Sequence, residues 1–118
     1  MRAKDAVGQY GERTAARFLE DCGYALVARN WRGTGGELDI VALDGDEVVV
    51  VEVKTRTSTA FGHPAQAVTP RKLARLRRLA GEWLTTYEPY VASVRIDVVA
   101  VTAQRQGRAV VEHLVGVC

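Results

Sequence analysis

Four consecutive valines, Val48 to Val51, constrain the fold of this chain more than any other stretch. A strand that faces water on one side alternates apolar and polar residues. An unbroken β-branched run is instead the mark of a strand covered on both faces, so the chain must supply a layer above it and another below. The run sits inside GELDIVALDGDEVVVVEVK, residues 36–54, which reads as two strands joined by a tight turn at Asp44-Gly45-Asp46. Glycine accepts positive φ there and aspartate tolerates it. Successive side chains of a strand face opposite sides, so Glu52 and Lys54 share one face while Val49, Val51 and Val53 fill the other. Along the preceding strand, Glu37, Asp39, Val41 and Leu43 are expected to share a face.

Pairing the two strands around Gly45 sets Asp39 opposite residues 51 to 52, which brings the carboxylates of Asp39 and Glu52 together beside Lys54. Like charges so placed repel unless a cation or a shared proton neutralises them. Mg²⁺ or Mn²⁺ suits such all-oxygen ligands and keeps several coordination positions for water and substrate. The alternative is a structural ion pair within the sheet.

The flanking segments supply the two layers. Residues 5–22 read as a helix with Ala15, Phe18, Leu19 and Cys22 on one apolar stripe, stopped by Gly23. Glu12 falls on the side of that stripe, away from Arg13, Arg17 and Glu20. It either meets the helix dipole from the first turn and reaches water, or leans over the sheet toward Asp39. Residues 24–31 form a first strand, and Arg32 to Gly36 a turn; GTGG precedes a strand and so is no phosphate-cradling loop. Residues 55–68, punctuated by Gly62 and Pro64, read as a loop in which His63 has no identifiable partner. A second helix begins with Thr69 as N-cap and Pro70 at its first position, and Leu73, Leu76, Ala80, Trp83 and Leu84 make its apolar stripe. Residues 93–101 give a fourth strand and 109–114 a weak edge strand. A helix between strands three and four favours parallel pairing there. Asp97 is expected to bond near Arg95 rather than to ligate a metal.

Composition then limits the function classes. The 118 residues are expected to form one domain, 47% apolar and 25% charged, with no low-complexity tract. No run is long enough to cross a bilayer and the N-terminus has no signal-like apolar region, which leaves a cytoplasmic location as the expectation and no membrane partner. Cys22 and Cys118 have no metal-ligand spacing and read as reduced thiols. A net charge of +2 does not by itself declare a polyanionic partner. Thirteen of the 16 basic residues, however, are arginine, whose planar fork matches phosphate oxygens. Arg71, Lys72, Arg75, Arg77 and Arg78 crowd onto the second helix. A basic stripe beside an acidic pocket is what a metal-dependent nuclease needs, whereas a solvated arginine-rich helix face is the plainer reading.

The order Glu12 on a first helix, Asp39, then Glu52-Val53-Lys54 resembles the PD-(D/E)xK nuclease superfamily with its restriction-endonuclease-like core. More closely, GERTAARFLEDCGY, RNWRGTGGELDIVA, VVVVEVKTR, FGHP and RIDVV together resemble the YraN-like family of bacterial proteins, which is similar to archaeal Holliday-junction resolvases. The likeness runs from about Gly8 to Val101. Leu38 departs from it, standing where the superfamily name has proline, which is no metal ligand. The resemblance implies an α/β fold of order αβββαβ(β), in which an antiparallel three-strand meander and a parallel strand after a crossover helix form a mixed sheet flanked by helices. It also implies a Mg²⁺- or Mn²⁺-dependent endonuclease acting on structured or branched DNA, with Glu12, Asp39, Glu52 and Lys54 as the catalytic set and the three acids as metal ligands. Arg71, Lys72, Arg75 and Arg78, with Arg32 and Arg56, are the expected phosphate contacts. Two cuts at a two-fold symmetric junction favour a homodimer. A non-catalytic nucleic-acid-binding or assembly module on the same fold is the alternative.

Overall fold

The computed structural model describes residues 5–57 and 68–117. In chain order these form α1 (Ala6–Asp21), β1 (Ala25–Gly33), β2 (Gly36–Asp44), β3 (Glu47–Arg56), α2 (Pro70–Leu84), β4 (Ser93–Thr102) and β5 (Val110–Leu114). The strands make one five-stranded sheet in the order β1-β2-β3-β4-β5. All neighbours are antiparallel except β3 and β4, which run parallel. This is the expected mixed sheet with a meander and one parallel crossover strand. His63 and Cys118 lie outside the described residues.

The valine run behaves as its composition demands. Val49 and Val51 face α1, where they pack with Ala15, Ala16, Leu19, Ile40, Ala42, Val99 and Val101. Val48 and Val50 face α2, against Leu76, Leu79, Ala80 and Trp83. All four valines are fully buried, and each such side chain contributes about 1.5–3 kcal/mol relative to exposure. β3 is therefore the central strand of a three-layer molecule.

Local chemistry sets the element ends. Asp5 caps α1 by accepting from the Gly8 N–H at 2.7 Å, and Thr69 caps α2 by accepting from the Lys72 N–H at 3.1 Å, with Pro70 next. Asp44 pairs with Glu47 across a two-residue loop in which Gly45 has φ +64°, a conformation costly for any side chain with a Cβ. Three expectations shift. Cys22 caps α1 and is exposed rather than on the buried stripe. Arg32 and Gly33 belong to β1, because they pair with Glu37 and Gly36. Thr55 and Arg56 belong to β3, because their parallel partners Val101 and Thr102 continue the ladder past the point where the sequence turns polar.

Asp97 is fully buried on β4 and serves the fold. It accepts from Arg95 Nε at 2.9 Å and Nη2 at 3.1 Å and from the Gly116 N–H at 2.9 Å, and it shares a 2.7 Å hydrogen bond with His113 Nε2. Arg95 also donates to Glu47 at 2.8 Å and to the Tyr24 hydroxyl at 2.7 Å. The hydrogen bonds that Arg95 donates to Asp97 push its already high guanidinium pKa higher still, so the buried carboxylate keeps a permanent counter-charge. Among the described residues no helix is long and apolar enough to cross a membrane.

Candidate functional site

A kink in the β1–β2 hairpin creates the site. Arg29 pairs with Ile40 and Trp31 with Leu38, so Asn30 sits opposite Asp39. Asn30 has φ +53° and is the one non-glycine residue with positive φ among those described. Asparagine is among the few side chains that tolerate this region. Strict alternation breaks there on both strands. Ala28 and Trp31, three apart, both pack toward α2, as do Val41 and Leu38, while Ile40 packs toward α1. Because Leu38 faces α2, its neighbours Glu37 and Asp39 project toward α1. The expectation that they share a face with Val41 and Leu43 is thus overturned by the kink.

The β2–β3 ladder ends at the same level, since Ile40–Val51 is its last pair. Beyond it the Val53 N–H donates to Asp39 Oδ2 at 2.9 Å. A carboxylate takes the ladder carbonyl's place, the strands part, and a cleft of about 550 Å³ opens between them and the two helices. Glu12, Asp39, Glu52 and Lys54 all line it, together with Glu37, Arg32 and Lys72.

Within the cleft the acids divide into two groups. Glu12, Glu37 and Asp39 each bring a carboxylate oxygen to within 4.8 Å of the others. Glu12 is only 4% exposed, which fits its leaning over the sheet rather than reaching water. It is held there by close approach of α1 to β3: a Cβ on the preceding Gly11 would lie 2.7 Å from the Thr55 Cβ. Glu52 faces the α2 side and is ion-paired to Lys72 of that helix. Burial raises its pKa from the ordinary 4.5 and the charge of Asp39 raises it further, against the opposing pull of Lys72 and Arg75. Lys54, on the same face of β3, is exposed at the cleft's edge. Glu37 was recognisable in the sequence only as a side chain pointing with Asp39; its place beside Glu12 depends on the kink.

The donor set fits a hard divalent cation. All three clustered donors are carboxylate oxygens lying within 4.8 Å of one another, and octahedral Mg²⁺ or Mn²⁺ with ligands at about 2.1 Å sets adjacent ligand atoms about 3.0 Å and opposite ones about 4.2 Å apart, both inside that limit.

The expected phosphate contacts scatter more widely. Lys72 and Arg32 line the cleft, Arg32 at 4.0 Å from Glu37. The Arg75 stem lies along the β2 entry, where a Cβ on Gly36 would be 3.5 Å from its Cδ. Arg78 donates to the Thr34 carbonyl at 2.8 Å while Glu82 accepts from the Thr34 N–H at 3.0 Å, so this pair pins the β1–β2 turn to α2. Arg71 is exposed. Arg56 is buried, 3.4 Å from Thr102 Oγ1 and 4.0 Å from Glu112, and is not among the cleft residues.

A sequence model of the uncharacterised protein family UPF0102 matches residues 11–101, a span that includes every acid of the cleft except Asp5. This chain belongs to that family. UPF0102 proteins similar to it include one from Beutenbergia cavernae, 62% identical over 117 residues that cover 99% of each chain. Another, from Kineococcus radiotolerans, is 58% identical over 119 residues, 99% of this chain and 97% of that one. A third, from Streptomyces griseus, is 52% identical over 118 residues, 99% of each. Membership of UPF0102 thus extends over the whole sheet and both helices, not only the acidic cleft.

Proposed function

We propose that this UPF0102 chain is a divalent-metal-dependent endonuclease that hydrolyses phosphodiester bonds in branched or otherwise structured DNA. The observation that carries the reading is the convergence of three carboxylates from α1 and β2 in a cleft that also holds Glu52, Lys54 and Lys72. A bound Mg²⁺ or Mn²⁺ supplies Lewis-acid charge to the phosphate and lowers the pKa of a water. Glu12, Asp39 and Glu37 would hold the ion. Glu52 would exchange Lys72 for the ion or a water, and the burial and the Asp39 charge that raise its pKa favour its taking up a proton from that water. Lys54, exposed beside it, orients the attacking water or meets charge developing on the phosphate. Lys72, released from Glu52, joins Arg32, Arg75 and Arg71 in binding phosphates without reading bases. Arg56 and Arg78 are left to the fold. The preference for branched DNA rests on the motif order shared with archaeal junction resolvases, and two incisions at a two-fold symmetric branch call for a homodimer carrying two clefts.

The Glu52–Lys72 pair favours one other reading, a nucleic-acid-binding module in which that ion pair is permanent and no hydrolysis follows. Cleavage separates the two. Wild-type protein is incubated with branched, flapped and linear DNA in Mg²⁺, Mn²⁺ or chelator. Cutting is expected only with metal, and Asp39→Asn and Lys54→Ala are each expected to lose about two orders of magnitude in rate. Activity that survives both substitutions would expose a contaminant, and absence of cutting on every substrate would favour the binding module.

A further inference from the structure

A second and larger groove, of about 1130 Å³, runs along α1. Its lining combines Arg13 and Arg17 of the helix with Arg29 of β1 and Arg108 of the β4–β5 connection, interleaved with Tyr10 and Phe18. Three separate elements therefore bring guanidinium groups to one place. All four arginines are exposed, and none forms an ion pair with another described residue. The α2 cations differ, since Lys72 is paired with Glu52 and Arg78 is bonded to Thr34. Glu20 and Asp21 lie at the helix's C-terminal end of the groove, where their charge marks a limit to anion binding. At the other end Arg13 follows Glu12 directly, so one turn of α1 connects this groove to the acidic cleft.

We propose that this groove binds single-stranded nucleic acid, with Arg13, Arg17, Arg29 and Arg108 on its phosphates and Tyr10 stacking on a base. Cations alone would serve any polyanion. An accessible ring set among them, as Tyr10 is at 37% exposed, offers a stacking surface that unpaired bases can use and the paired bases of a duplex cannot. The groove would carry the unpaired arm of a structured substrate away from the cleft. That orientation rests on the nuclease reading, but the binding itself does not require hydrolysis.

The test measures anisotropy of a labelled oligothymidylate in chelator across a salt series, with a labelled duplex of the same length beside it. Arg17→Gln/Arg108→Gln is expected to weaken binding of the single strand about tenfold. It should also flatten the slope of log K against log salt by about 1.4, two contacts at about 0.7 each. Arg17→Lys/Arg108→Lys keeps the charges and should restore the slope, which guards against a folding defect in the glutamine variant. Tyr10→Ala should weaken binding about tenfold with the slope unchanged. Wild-type slope and affinity in the glutamine variant, no binding of the oligothymidylate by wild type, or a loss confined to the duplex each overturn the proposal. A chain that cuts DNA while its groove variants bind normally keeps the nuclease reading and loses this one; a chain that never cuts but needs the four arginines does the reverse.

Discussion

Glu52 holds a charge that the fold alone does not favour. Its side chain is 12% exposed, and burial and Asp39 raise its pKa despite the ammonium of Lys72. In the pH range between 4.5 and that raised value the folded state binds more protons than the unfolded state, so stability falls as pH rises through it. Without metal, Glu52→Gln removes the unfavourable ionisation while keeping shape and a hydrogen-bond acceptor for Lys72. The variant is expected to melt higher than wild type at pH 7 in chelator, with the difference shrinking as pH falls toward 4.5. A melting series over pH checks this, and a lower Tm for the variant at every pH would mean that the Lys72 pair outweighs burial. Asn30 poses a different residue-scale problem. Polar and not glycine, it gives no periodic signal, yet its positive φ falls opposite Asp39, where alternation breaks on both strands. The chemistry of residue 39 was legible from its type and its position relative to Gly45, whereas its side of the sheet was not.

At the scale of elements, the sequence was legible wherever one local rule acted alone. Thr69-Pro70 opened α2, Gly45 closed the hairpin, and the valine run demanded two covering layers. It failed where docking between elements decided the outcome. Lys72 could be assigned to a basic face from its spacing, but its pairing with Glu52 depends on how α2 lies across β3. Arg56 read as a loop cation and is buried because β3 runs two residues further along β4. The two helical glycines show the same contrast and can be measured. Gly81 on α2 has nothing within 4 Å of a built Cβ, so Gly81→Ala should stabilise by about 1 kcal/mol through helix propensity. Gly11 on α1 gains the same propensity but drives its Cβ into Thr55, a β-branched side chain whose own Cβ is fixed by the strand. Overpacking of this kind costs about 1–3 kcal/mol, so Gly11→Ala should destabilise in urea titration and, by lifting Glu12 from the cleft, also weaken Mn²⁺ binding. Stabilisation by both substitutions would contradict the close approach of α1 and β3.

At the scale of the molecule, the cleft joins layers whose main contacts are apolar packing on opposite faces of the sheet. Glu12 comes from the helix above, Glu37 and Asp39 from the kinked strand, and Glu52 is tied by Lys72 to the helix below. Three carboxylates come within 4.8 Å of one another, and they meet where the β2–β3 ladder has already ended. A cation bound there would relieve the repulsion and tie α1 to β2. Because the ligands are assembled only by folding, binding energy becomes folding energy. Mn²⁺ at a hundred times its dissociation constant should add about 2.7 kcal/mol, on the order of 10 °C in Tm for a chain of this length. Asp39→Asn removes one ligand charge together with part of the repulsion. It should therefore melt higher than wild type in chelator and gain much less from Mn²⁺, so that the two melting curves cross as metal is added. Asp97→Asn breaks the buried pair with Arg95 on β4 and should cost about 3–5 kcal/mol, while the shift in Tm produced by Mn²⁺ stays close to that of wild type. Parallel curves for wild type and Asp39→Asn at every Mn²⁺ concentration would remove the cation from the cleft.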